Sequence, residues 1–165
     1  MADQETQGLA RALLDLCKAK QLTIVTAESC TGGLVAGALT DIAGSSAVVD
    51  RGFVTYTNEA KEEVLGVPHD VLDSHGAVSR ETAEAMALGA LAHSPAMLSV
   101  AITGIAGPGG GTPAKPVGLV HFAAAAGDGR LIHREQRYGD IGRTEVRRRS
   151  VLQALAMLRE LAERR

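Results

Sequence analysis

Short apolar runs alternate with segments of helical periodicity along the first part of the chain. The runs "LTIVTA" (22–27), "GFVTYT" (52–57) and "MLSVAIT" (97–103) are rich in β-branched residues and are as long as typical buried strands. In the segments between them, apolar residues recur every three to four positions, as on one face of a helix. This alternation is typical of an α/β layered domain, in which helices cover both faces of a sheet. The predicted helices lie at residues 3–19, from 31, near 58–65, from 79 and at about 141–163.

The rest of the chain predicts a hairpin and a closing helix. Apolar residues dominate 117–126, and a second strand-like run at 130–138 follows after only "GDG". So short a turn indicates antiparallel pairing, and the polar second run suits a sheet edge. We therefore predict a three-layer α/β/α sandwich with a mixed, mostly parallel five-stranded sheet, in a single domain spanning 1–165.

Composition argues against several classes of protein. The net charge is -2 and the pI is near 6.2, whereas a generic nucleic-acid binder carries a basic surplus. No apolar run approaches the roughly 20 residues of a membrane span, and no secretion signal is recognisable. Two cysteines do not make a disulfide framework. We expect a cytoplasmic globular domain with neither a membrane nor a nucleic-acid partner.

The motif "TAESCTGG" (26–33) follows the first predicted strand, and ligands gather at the carboxyl ends of strands in open α/β sheets. Ser29 would stand there at a helix N-terminus, where the N–H groups of Thr31, Gly32 and Gly33 are predicted to bind an oxyanion or a phosphate. The alternative is that Ser29 or Thr31 only caps the helix. The motif alone leaves both interpretations open.

A catalytic serine needs a base. The histidines show neither metal-ligand spacing nor an acid-partnered pattern, so a lysine with a lowered pKa is the alternative base. Lys61 follows the second predicted strand, and parallel pairing would place it at the same sheet end as Ser29. Otherwise a lysine on a short helix is usually a surface residue. Cys30 falls on the opposite strand face from Ser29 and is predicted to be a small buried residue.

The third predicted strand ends at Thr103 and continues into the glycine-rich loop "TGIAGPGGG" (103–111). The loop does not match the dinucleotide or P-loop fingerprint, and the prolines that follow it prevent the helix that both motifs require. It is interpreted as either a ligand loop or a plain connection. Arg143, in "YGDIGR", is a candidate clamp for a phosphate or a carboxylate, although most basic runs such as Arg147–Arg149 are solvated faces.

Several motifs in the same order resemble the C-terminal domain family of the competence-damage protein CinA. They are "TAESCTGGL", "IAGSSAVVDRGFVTYTNEAK", "HGAVS", "TGIAGPGGGTPAKPVGLV" and the arginine-bearing final segment, spanning about residues 8–160. The resemblance implies a usually dimeric three-layer α/β/α fold. It also implies hydrolysis of the carboxamide of nicotinamide mononucleotide to nicotinate mononucleotide and ammonia, without a metal or another cofactor.

The resemblance further implies roles for individual residues. Ser29 matches the nucleophile and Lys61 its base, while Tyr56, Thr103 and Arg143 match the substrate pocket. Thr31, Gly32, Gly33 and Gly104 are further predicted substrate-binding residues. Three alternatives remain. The chain could be a non-catalytic nucleotide-binding module, a domain that docks a partner through its arginine-rich helix, or an amidase for another pyridine carboxamide.

Overall fold

The computed structural model describes residues 2–165. The elements, in chain order, are α1 (Gln4–Lys20), β1 (Ile24–Glu28), α2 (Leu34–Thr40), a short 3-10 helix (Ser45–Ala47), β2 (Val49–Val54), α3 (Asn58–Leu65), α4 (His69–His75), α5 (Arg80–Ala92), β3 (Leu98–Gly104), β4 (Leu119–Ala126), β5 (Leu131–Arg137) and α6 (Arg143–Glu163).

The five strands form one mixed sheet in the order β2-β1-β3-β4-β5. Strand β1 pairs in parallel with both β2 and β3, and the pairs β3–β4 and β4–β5 are antiparallel. Four strands therefore point in one direction and only β4 runs against them, which confirms the predicted mixed and mostly parallel sheet. The predicted β4–β5 hairpin and the edge position of β5 are also confirmed.

Helices cover both faces of the sheet, as predicted. Consecutive β1 residues point to opposite sides, because side chains alternate along a strand. Ile24 packs in a core with α1, α2 and α6, whereas Val25 packs in a core with α3, α4 and α5. Strand β4 is buried along its whole length, between β3 and the edge strand β5. The three-layer α/β/α sandwich is thereby confirmed.

Two local predictions are corrected, and one helix was missed. The second strand ends at Val54 rather than at 57, because the Thr57 hydroxyl accepts from the Ala60 N–H and begins α3. The second helix begins at Leu34 rather than at 31, because the two glycines before it have left-handed φ values of 57° and 104°. Helix α4 was not predicted from the sequence, since a seven-residue helix offers too little apolar periodicity to detect.

Candidate active site

Ser29 lies at the carboxyl end of β1, where the sheet gives way to the turn before α2. Its backbone N–H donates to Ile102 O on β3 at 2.9 Å, so the neighbouring strand holds its main chain. The residue is only 8% exposed. Its hydroxyl is thus partly shielded from solvent, and it lies at the carboxyl end of the strands, where ligands usually bind in this kind of fold.

Lys61 lies on α3, the helix that follows β2, and its side chain extends to the Ser29 hydroxyl. Its Nζ lies 2.9 Å from Ser29 Oγ, 2.8 Å from Thr55 O and 3.2 Å from Tyr56 O. A neutral amine has two N–H donors and one lone pair. If the two carbonyls accept the two N–H groups, the lone pair is left for the serine hydroxyl, which is the arrangement that a general base requires.

The environment of Lys61 favours its neutral form. The residue is 1% exposed, and no carboxylate pairs with it among the residues that the structure describes. Burial lowers its pKa from 10.5 to about 8, because desolvation disfavours the ammonium. The neutral form is therefore a minority near pH 7, but it is far more populated than in an ordinary surface lysine.

Cys30, unlike its neighbour Ser29, is held in an environment that makes its side chain unreactive. It packs into the core against α2 and α6, and burial raises the pKa of its thiol to about 12. A protonated thiol is a poor nucleophile. The structure thus places Cys30 in the core and places the Ser29 hydroxyl, the candidate nucleophile, beside the Lys61 amine.

A cavity of about 250 Å³ opens over Ser29 and Lys61. Tyr56, Thr103 and Arg143 also line it. The remaining lining residues come from the turn after β1, the turn before α5, the end of β3 and the glycine-rich loop: Cys30, Ala77, Val78, Gly104, Ile105, Ala106, Gly107, Gly109 and Gly110. The structure therefore brings together both predicted catalytic residues and four of the predicted substrate-binding residues.

Arg143 crosses the mouth of this cavity. One guanidinium nitrogen donates to the Tyr56 hydroxyl at 3.0 Å and another to Gly107 O at 2.9 Å. Within the described part of the chain, Arg143 has no carboxylate partner. The positive charge at the mouth is therefore available to an anionic ligand. Thr103, by contrast, donates its hydroxyl to Ala77 O, which fixes the turn before α5.

Three predicted substrate contacts do not reach the cavity. The Gly32 N–H donates to Ser29 O at 3.0 Å, and Gly33 is the N-cap residue of α2. Thr31 is fully buried, with its hydroxyl on Glu28 Oε1 at 2.7 Å. The Glu28 carboxylate accepts from the N–H groups of Val35 and Ala36, so the first donors of α2 are already paired, and the structure does not bring the three predicted contacts to the cavity.

Two charged residues beside the turn, Glu28 and Arg147, were not predicted as site residues. Glu28 occupies the α2 N-terminus from inside the fold, and Arg147 donates to the turn from α6. Glu28 precedes α2 by six positions, outside the cap and the first turn where an acidic residue signals capping. Arg147 gives no sequence signal either, because its contact joins segments more than one hundred residues apart.

In residues 2–165 no group of three or more His, Cys, Asp or Glu side chains is arranged to hold a metal ion. Nor does any described helix have the length and apolarity needed to cross a bilayer.

The chain is similar in sequence to a known protein family and to named members of it. The model of the CinA C-terminal domain family matches residues 6–162. The nicotinamide-nucleotide amidohydrolase PncC of Escherichia coli K12 is 49% identical, over 96% of this chain and 95% of that protein. A CinA-like protein of Mycolicibacterium gilvum is 56% identical over 83% of this chain, but the match spans only 32% of that longer protein.

Solved structures agree with the fold. The crystal structure of the competence/damage inducible protein CihA from Agrobacterium tumefaciens has a TM-score of 0.96 and 58% identity, covering 98% of both chains. A CinA superfamily protein from Klebsiella pneumoniae 700603 has a TM-score of 0.92 and 35% identity, over 98% of this chain and 100% of that one.

Proposed function

The chain belongs to the CinA C-terminal domain family, and from this premise we propose that it hydrolyses nicotinamide mononucleotide to nicotinate mononucleotide and ammonia, in pyridine nucleotide recycling. One observation carries the proposal: a buried Lys61 Nζ lies 2.9 Å from Ser29 Oγ in a cavity with an unpaired cation at its mouth. Relatives of matching length that are named nicotinamide-nucleotide amidohydrolase support the choice of substrate.

The proposed reaction proceeds through an acyl-enzyme. Ser29 Oγ attacks the carboxamide carbon while neutral Lys61 accepts the hydroxyl proton. Collapse of the tetrahedral intermediate breaks the C–N bond, and Lys61 returns the proton to the leaving ammonia. Water then attacks the ester with Lys61 again as base, which regenerates Ser29 and releases nicotinate mononucleotide.

The oxyanion needs a donor other than the α2 N-terminus. We propose the backbone N–H of Cys30, which lines the cavity directly after the nucleophile. In the described part of the chain, this N–H has no acceptor outside its own residue. Such a donor contributes about 3 kcal/mol to the transition state in related chemistry.

The alternative of a non-catalytic nucleotide-binding module is less well supported. Burying an amine beside a serine costs desolvation free energy, and nucleotide binding alone does not require it. The arginine-rich helix is also poorly suited to docking a partner, because Arg148 and Arg149 are already paired with carboxylates such as Glu145.

The test is ammonia release from nicotinamide mononucleotide by the purified chain, in the presence of a metal chelator. Equal amounts of ammonia and nicotinate mononucleotide are expected. A folded protein that binds the nucleotide and leaves it intact would instead establish the binding module.

Arg143 is the proposed partner of the substrate phosphate. Arg143→Gln is expected to raise KM for nicotinamide mononucleotide about 10- to 100-fold, with a smaller effect on kcat, because a charge-assisted hydrogen bond is lost. KM for nicotinamide riboside, which has no phosphate, should not change. An equal rise in KM for both substrates would contradict a phosphate contact. Arg149→Gln, on the same helix, is the matched control.

We also propose that the protein is located in the cytoplasm, where free thiols such as those of the buried residues Cys17 and Cys30 persist.

We further propose that the protein is a homodimer. The outer strand β2 supports self-association, since Leu34, Val54 and Tyr56 expose apolar surface around it. Sedimentation is expected to give twice the chain mass of 17.1 kDa, and Val54→Glu to shift it toward the monomer. A monomeric wild type would contradict the dimer.

A further inference from the structure

We propose that Glu28 and Arg147 form a clamp that positions the Ser29 nucleophile without touching the substrate. Both side chains form hydrogen bonds at the turn between β1 and α2, Glu28 from within the fold and Arg147 from α6. The inference uses the proposed function for its kinetic readout. Its chemical readout, the reactivity of Ser29, does not depend on the identity of the substrate.

The Glu28 carboxylate ties the turn to the first residues of α2. It is fully buried and accepts hydrogen bonds from Val35 N at 2.9 Å, Ala36 N at 3.0 Å and the Thr31 hydroxyl at 2.7 Å. A buried carboxylate is costly unless it is hydrogen-bonded in this way, and a helix N-terminus also stabilises negative charge. These bonds join the residue immediately before Ser29 to the helix that follows the turn.

The backbone of Glu28 is held as well. Its carbonyl accepts from the Thr55 N–H at 2.8 Å, just beyond the end of β2. The same Thr55 offers its own carbonyl to Lys61 Nζ. The main chain of Glu28 therefore connects the segment that carries the nucleophile to the segment that orients the base, and its carboxylate holds the same residue to α2.

Arg147 holds the outer side of the turn. Its Nε donates to Cys30 O at 3.1 Å, and its Nη2 lies 3.4 Å from Thr31 O. Gly32, beside these contacts, has a φ of +57°, a left-handed conformation that side chains rarely adopt, so the shape of the turn itself favours glycine there. Carbonyl and N–H point in opposite directions across a trans peptide. Holding the Cys30 carbonyl toward α6 thus fixes the orientation of the peptide that follows it.

The neighbouring arginines of α6 behave differently. Arg148 pairs with Asp3, Glu5 and Glu145, and Arg149 pairs with Glu145. Arg147 has no carboxylate partner within residues 2–165, and its two hydrogen bonds both end on the nucleophile turn. A role in helix solubility or general ion pairing does not explain this choice of acceptors, whereas a positioning role does.

The test compares Glu28→Gln and Arg147→Met with Glu163→Gln and Arg149→Met, which alter exposed residues. The first readout is the rate at which a fluorophosphonate probe labels Ser29, and the second is kcat and KM for nicotinamide mononucleotide. Both clamp variants are expected to lower labelling and kcat together, by about tenfold or more, with KM nearly unchanged. The control variants should match the wild type. Circular dichroism and thermal melting report the folded fraction.

A merely structural role predicts a different pattern. Melting temperature would then fall while labelling and kcat per folded molecule stayed at wild-type values, and that result would overturn the clamp. If Glu28→Gln does not fold, Arg147→Met decides the matter, because its side chain makes only carbonyl contacts at the turn. A wild type that is labelled at Ser29 but releases no ammonia would refute the proposed substrate. The labelling rates would still decide whether the clamp exists.

Discussion

Substitution of Ser29 by alanine is expected to lower kcat for ammonia release by about a thousandfold or more. The variant keeps the cavity, Lys61 and Arg143, so nucleotide binding should survive while the covalent step is lost. The measurement is ammonia production under single-turnover conditions, with mass spectrometry of the quenched enzyme. The wild type should show a nicotinoyl-nucleotide adduct on Ser29, and the variant should show none.

Ser74→Ala is the matched control, because this serine is exposed on α4 and does not line the cavity. It should leave kcat and KM unchanged. If Ser29→Ala retained activity within about tenfold of wild type, the acyl-enzyme mechanism would be wrong. A directly activated water would then be the better account, since the thiol of Cys30 is held protonated.

Replacement of Lys61 by arginine is expected to lower kcat by about a thousandfold, within the range of general-base effects. Arginine keeps the positive charge but stays protonated at any accessible pH, so it cannot accept the Ser29 proton. Lys18→Arg, on the exposed surface of α1, is the control. A Lys61→Arg variant with near wild-type kcat would show that the cation rather than the base matters.

The pH dependence gives an independent check on Lys61. The base acts when it is neutral, and its pKa is lowered to about 8. Wild-type kcat/KM is therefore expected to be low in acid, to rise through about pH 8, and to level off above it. Lys61→Arg should lose this rising limb. A wild-type profile that falls through the same range would contradict a neutral-lysine base.

The sequence predicted the architecture because periodicity carries that information directly. Alternating strand and helix patterns specified the layers, and the three-residue "GDG" turn specified the hairpin. Helix α4 and the end of β2 were missed, since short elements and capping by Thr57 leave weak periodic signals. The position of α2 was misjudged, because the left-handed conformation of Gly32 and Gly33 depends on the turn that they close.

The sequence by itself determined the layered fold and put Ser29 at the end of a strand, since both follow from local patterns of apolar residues. Only the tertiary structure decided which partner each site residue has. Parallel pairing of β1 with β2 brings Lys61 to Ser29, and burial of its amine lowers the pKa. Glu28 and Arg147 acquire their positions through contacts with other elements. Hydrogen-bond partners and desolvation depend on distances in space, which neither residue order nor periodicity contains.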